Sequence, residues 1–189
     1  MRAFRKVRNL IVGALAALSS ALLPASASVP QAAPAGPAHY APTDTILILG
    51  AVPQEIPPYI EAMQDAEQKR SWGIPYWQGT IKGKPVVVAI TGIGKTSTAS
   101  VSTLFIEEFK PRLVLMSGTG ARINKDLRTG DIIVATITYE HDYGSLTRDG
   151  MVYRPFNGPV NGKEIQNGFA PPASLLNAAD RAIALYDGP

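Results

Sequence analysis

Ile46-Leu47-Ile48-Leu49-Gly50-Ala51-Val52-Pro53-Gln54-Glu55 opens the part of the chain that can build a core. An unbroken apolar run ended by glycine reads as a buried strand of a parallel sheet. An acid follows the glycine by five residues, so its carboxylate arrives at the carboxyl edge of the sheet, where open α/β sheets bind ligands. The plan recurs twice. Pro85-Val86-Val87-Val88-Ala89-Ile90 runs into Thr91-Gly92-Ile93-Gly94-Lys95, and Leu113-Val114-Leu115-Met116 runs into Ser117-Gly118-Thr119-Gly120. Three such strand ends, set side by side, converge on one pocket.

Towards the N-terminus, Arg2, Arg5, Lys6 and Arg8 precede an apolar run from Leu10 to Leu23, followed by Ala25-Ser26-Ala27. This is the layout of a signal peptide with an A-x-A cleavage site, assigned to residues 1–27. Its apolar run of 14 residues falls short of the roughly 18 that a spanning helix needs. The protein is therefore expected to be exported, periplasmic or secreted, and free of the membrane after cleavage. Removing the four basic residues of that segment takes the formal net charge from +3 to −1, so the basic balance belongs to the export signal. The other Lys and Arg are scattered among acids, which argues against nucleic acid as a partner. Absence of cysteine means that an exported chain folds without disulfides and has neither a thiol nucleophile nor a thiolate metal site. His39 and His141 are the only histidines, and no metal is assigned.

Ser28 to Thr43 is dominated by Ala and Pro and reads as a linker, residues 28–43, too poor in large apolar side chains to pack. Residues 44–189 then form one α/β domain. The pattern predicts a strand at Thr45 to Leu49 and a helix from about Pro57 to Gln68, with Pro57 in its first turn. Trp77 to Ile81, turning through Lys82-Gly83-Lys84 into Pro85 to Thr91, predicts a hairpin. A helix from about Lys95 to Phe109 offers Ala99, Leu104, Phe105 and Ile106 to the core, and Pro111 separates it from a strand at Arg112 to Met116. Thr129-Gly130-Asp131 turns into Ile132 to Thr138, whose Ile, Val and Thr content favours a strand. Tyr139 to Pro172 reads as a long polar loop and Ala173 to Leu185 as a final helix. A helix in that place leaves the next sheet edge unpaired, which predicts another covering segment or an incomplete domain.

Several familiar motifs fail on inspection. Gly92-Ile93-Gly94-Lys95-Thr96 resembles a phosphate loop, but that pattern needs glycine where Ala89 stands. Gly118-Thr119-Gly120-Ala121 lacks the third glycine of a dinucleotide fingerprint, since Ile123 holds its place. A hydroxyl between two glycines can still approach a sugar closely. No serine lies in a G-x-S-x-G context. His141-Asp142 can be a general-base pair or an ordinary loop histidine beside a turn acid. Tyr139, Tyr143, Tyr153 and Phe156 are expected to pack a loop. Glu55 can serve as a catalytic carboxylate or simply favour a helix start.

The ordered set I-L-G-A-V-P-Q-E, T-G-I-G-K-T, S-G-T-G-A and T-G-D-I-I-V, spread over about Thr45 to Asp142, resembles the nucleoside phosphorylase and nucleosidase superfamily. It is most similar to the methylthioadenosine/S-adenosylhomocysteine nucleosidases. The resemblance implies a three-layer α/β/α nucleoside phosphorylase-like domain that hydrolyses the N-glycosidic bond of adenine nucleosides, as a homodimer without metal or organic cofactor. It makes Glu55 the residue that positions and deprotonates the attacking water. Ile93 becomes an apolar contact for the 5′ substituent, and Thr119 the hydroxyl beside the ribose and the water, where the family usually has serine. Gly120 and Ala121 fall beside the purine, next to Arg122 where the family has a small residue. The family's Met-Glu pair and its purine-protonating aspartate have no counterpart up to Pro189, so the domain is expected to be incomplete on its C-terminal side. Phosphorylases of the superfamily hold phosphate with arginine at the place of Met116, which favours hydrolysis. The rival readings are a periplasmic nucleoside-binding protein without turnover and a purine nucleoside phosphorylase.

Overall fold

The computed structural model describes residues 41–154, 156–157, 164–165 and 168–186. The expected signal peptide, His39 and the linker up to residue 40 lie outside the described residues. Strand β1 (Thr43–Gly50) lies next to one edge of a five-stranded sheet with β2 (Gln64–Ser71), β3 (Ile74–Ile81), β4 (Lys84–Ile90) and β5 (Pro111–Met116), in the order β2-β3-β4-β1-β5. β1 is parallel to β4 on one side and to β5 on the other, with Gly50 opposite Ile90 and Leu49 opposite Met116. The three strands therefore end level.

Why β1 is apolar without a break from Ile46 to Leu49 follows from the two faces it serves. Ile46 and Ile48 pack on one side with Val86, Val88, Leu113 and with Tyr59 and Met63 of α1 (Pro57–Ala62) and the residue after it. Ala178 of α3 (Ala173–Ala184) joins the same cluster. Leu47 and Leu49 face the other way, onto Val87, Ala89, Tyr76 and Phe105 of α2 (Lys95–Phe109). This is the expected α/β/α layering. On the α2 side, Tyr76, Phe105 and Phe109 bring their rings to 5.2–5.7 Å of one another, a spacing at which aromatic pairs attract beyond simple burial. Ala99 is exposed, and Val101 and Phe109 take the inward role expected of it.

One expected helix is shorter than its pattern predicts, and one expected strand is absent. The helix read as Pro57 to Gln68 stops at Ala62, and Gln64–Ser71 is a strand paired antiparallel with β3. Beyond Met63 the run Gln-Asp-Ala-Glu-Gln-Lys-Arg offers a helix almost nothing to bury, whereas an edge strand tolerates exposed charge. The reversal is a two-residue turn, Trp72-Gly73, with φ of 53° and 77°; both residues have the left-handed backbone that matches strand twist in a hairpin. Ile132 to Thr138 is likewise not a strand. Among the described residues it has a single bridge, Thr138 to Phe169, and Ile132, Ile133, Val134 and Ile137 are exposed. Strand propensity is realised only against a neighbour. The stretch read as one loop contains the hairpin β6 (Gly144–Thr147) with β7 (Gly150–Tyr153), and the two-residue pair β8 (Phe156–Asn157) with β9 (Glu164–Ile165).

Candidate active site

The chain leaves β1 towards the α1 face and leaves β4 towards the α2 face. Loops departing to opposite sides of neighbouring parallel strands open a crevice at their carboxyl ends. Glu55 closes a 3-10 turn, Pro53–Glu55, that folds back over the end of β1. Its Oε2 accepts the Ala51 N–H at 2.7 Å and the Val52 N–H at 3.2 Å. Its Oε1 accepts the Thr119 N–H at 2.8 Å and the Thr119 hydroxyl at 3.1 Å. One half of the carboxylate is thus held by the loop after β1, the other by the loop after β5.

Such closeness depends on Gly118. A Cβ there would lie 3.0 Å from Oε1 and 3.2 Å from both Cδ and Oε2 of Glu55. The donors also set the charge: the Thr119 N–H, aided by those of Ala51 and Val52 and by the Thr119 hydroxyl, holds the Glu55 pKa below its ordinary value, against an upward pull from partial burial. Glu55 is an anion across the neutral range.

Of the residues singled out from sequence, Glu55 and Thr119 are in direct contact. Ile93 sits on the loop after β4 with its side chain 81% exposed. Gly120 and Ala121 follow Thr119 as open backbone, with nothing within 4 Å of where a Gly120 Cβ would stand. Arg122, expected beside the base, turns its Nη1 onto the Leu127 carbonyl at 2.8 Å. Lys95 of the rejected phosphate loop pairs with Glu140 and Asp142. That contact is the main cause of a lowered Asp142 pKa, with a smaller contribution from the neighbouring His141. Tyr139 and Tyr153 are exposed instead of packing a loop, and Tyr143 is 43% exposed; the side chain of Phe156 lies outside the described residues.

Two contributors escaped sequence reasoning. Tyr59, buried on α1, meets the Ser117 side chain, and burial pushes its phenol pKa up. Thr91, just after β4, is 1% exposed, and its hydroxyl is enclosed by the fold. A hydroxyl ending an otherwise apolar strand was the available signal.

A sequence profile of the phosphorylase superfamily matches residues 45–187, from β1 past the last helix. The chain belongs to the phosphorylase superfamily. Within this superfamily it is 32% identical over 137 residues, 72% of its length, to the 5′-methylthioadenosine/S-adenosylhomocysteine nucleosidase of Shewanella baltica (strain OS185), of which it spans 55%. The corresponding nucleosidase of Neisseria meningitidis, solved with methylthio-immucillin-A, aligns with a TM-score of 0.63 at 29% identity over 77% of this chain and 60% of that one. That of Colwellia psychrerythraea 34H, solved with adenine, aligns with a TM-score of 0.61 at 28% identity over 77% and 57%. The chain thus spans a little over half the length of these superfamily relatives.

Proposed function

We propose that this protein is a nucleosidase hydrolysing the N-glycosidic bond of adenine nucleosides such as methylthioadenosine or S-adenosylhomocysteine. The observation that carries the reading is the Glu55 carboxylate, bridged to Thr119 across two strand ends. Breaking an N-ribosidic bond builds positive charge on the sugar, and a preorganised anion beside it lowers that barrier. Water then adds to the anomeric carbon as the bond to the purine breaks; the departing base takes its proton from solvent water, and the attacking water gives one up to Glu55, which returns it to solvent.

A carboxylate has about four lone-pair sites, and protein donors occupy all four here. Three are backbone N–H groups fixed by the fold, so the Thr119 hydroxyl is the one that turns aside to admit water. A strongly held carboxylate is a weak base at rest. It becomes competent when the water bonds to the cationic sugar and its protons turn acidic, so that charge and orientation are the main contributions of Glu55. Ile93 offers an apolar contact for a 5′ substituent, and Gly120 and Ala121 an unobstructed backbone edge for the purine. Hydrolysis is preferred to phosphorolysis because Met116, and no cation, precedes the Ser117-Gly118 turn.

Adenine release from methylthioadenosine by the full-length protein tests this. Glu55→Gln should lower kcat by about 10²–10⁴-fold, whereas unchanged release would remove Glu55 from the mechanism. Export is proposed on the segment up to Ala27: the mature N-terminus should be Ser28, and intact Met1 on the exported protein would refute cleavage. A homodimer is proposed on the exposed apolar side chains from Ile132 to Tyr143. A monomer mass by sedimentation equilibrium would refute it.

A further inference from the structure

Gly50 and Ala51 share one peptide group. Its carbonyl accepts the Thr91 N–H at 2.8 Å and lies 3.3 Å from the Thr91 hydroxyl. Its N–H is the donor that meets Glu55 Oε2 at 2.7 Å. Because a peptide is planar, with C=O and N–H pointing in opposite directions, fixing the carbonyl fixes the direction of the N–H. Hydrogen bonds received on the carbonyl also polarise the group and strengthen the N–H as a donor.

Thr91 is itself held. Its Oγ1 stands 3.0 Å from the Gly92 carbonyl and 3.3 Å from the Thr98 hydroxyl, and its own carbonyl accepts the Ser97 hydroxyl at 2.5 Å. The hydroxyl has a single proton, shared between the Gly50 and Gly92 carbonyls, and accepts from the Thr98 hydroxyl of α2; part of the restraint on Gly50 thus originates in the opposite layer of the molecule from α1.

We propose that Thr91 is a positioning residue for the reaction. Through the Gly50–Ala51 peptide it aims a backbone donor at Glu55 and sets the place and charge of that carboxylate, without touching substrate. The catalytic consequence rests on the nucleosidase reading above; the effect on Glu55 does not.

The test is the titration of the Glu55 side-chain carboxyl carbon by NMR, assigned with Glu55→Gln, in the wild type, Thr91→Val and Thr91→Ser. Valine keeps the shape and removes the hydroxyl; serine keeps the hydroxyl. Thr91→Val should shift the Glu55 midpoint upward towards the ordinary glutamate value and lower kcat by about tenfold, the scale of a small misplacement of a reacting group. Thr91→Ser should restore both. If Thr91→Val does not fold, Thr91→Ala carries the same measurement. An unmoved Glu55 midpoint in a folded variant, even with a lower Tm, would overturn the proposal and leave Thr91 as packing alone. The two readings fail separately: a shifted midpoint with no base release from any variant sinks the nucleosidase reading and keeps Thr91. Base release lost in Glu55→Gln, with an unmoved midpoint, does the reverse.

Discussion

A carboxylate that receives four hydrogen bonds can do so only where nothing else competes for the space around it, and at Glu55 the decisive vacancy is the missing side chain of Gly118. Alanine there would put a methyl within 3.2 Å of three carboxylate atoms at once, with the carboxylate unable to withdraw from its Ala51 and Val52 donors. Gly118→Ala is expected to cut base release by about tenfold through a small displacement of the reacting group, while the Tm, governed by the core, stays within a few degrees. Wild-type kinetics in the mutant would contradict the geometry. The lowered pKa of Glu55 carries a second consequence, for stability. A carboxylate whose native pKa is depressed contributes stability above its unfolded pKa of about 4.3 and loses that contribution as pH falls through the native value. The stability gap between wild type and Glu55→Gln, measured by urea denaturation, should therefore be constant near neutrality and narrow on acidification. A gap that widened with acid would mean the donors do not favour the anion. Glu55 and Thr119 were legible in sequence because each follows an apolar strand at a glycine turn. Thr91 was not, because a threonine at a strand end looks the same whether its hydroxyl meets water or a carbonyl.

Secondary structure was legible where a segment's own pattern decides it. The helix Lys95–Phe109 and the Lys82-Gly83 reversal came out as read, since helical spacing of large apolar residues and a glycine turn are local signals. The segment Gln64–Ser71 is not legible as a strand because its pairing depends on β3, a partner that the local pattern does not reveal. That pairing gives a prediction of its own. Gly79 in β3 faces the start of β2 so closely that a Cβ would fall 2.5 Å from the Gln64 carbonyl oxygen and 2.6 Å from Met63 Cγ. Gly79→Ala should destabilise the protein by about 1–3 kcal/mol, as overpacking does, with faster amide exchange concentrated in Gln64–Ser71. Unchanged denaturation and exchange would show that β2 does not lie against β3 there.

Across the whole molecule, the order β2-β3-β4-β1-β5 gives the three loops a common edge. β1 is the middle strand of the parallel set, so its loop carries the acid; β5 beside it carries the threonine, and β4 on the other side carries Thr91 and Ile93. Convergence of three strand ends was readable in advance because each strand ends in the same way. The direction in which each loop leaves the sheet depends on which face its helix covers, a property of the assembled layers. The proposed nucleosidase activity requires these loops to form one nucleoside site around Glu55. Titrating the ¹⁵N-labelled protein with methylthioadenosine tests it most directly. The amide signals of Ala51, Val52, Thr119 and Gly120 should move along a single saturation curve. Shifts confined to other parts of the molecule, such as the groove beside Trp72 and Glu108, or no shifts at these four amides up to the solubility limit of the ligand, would contradict the account.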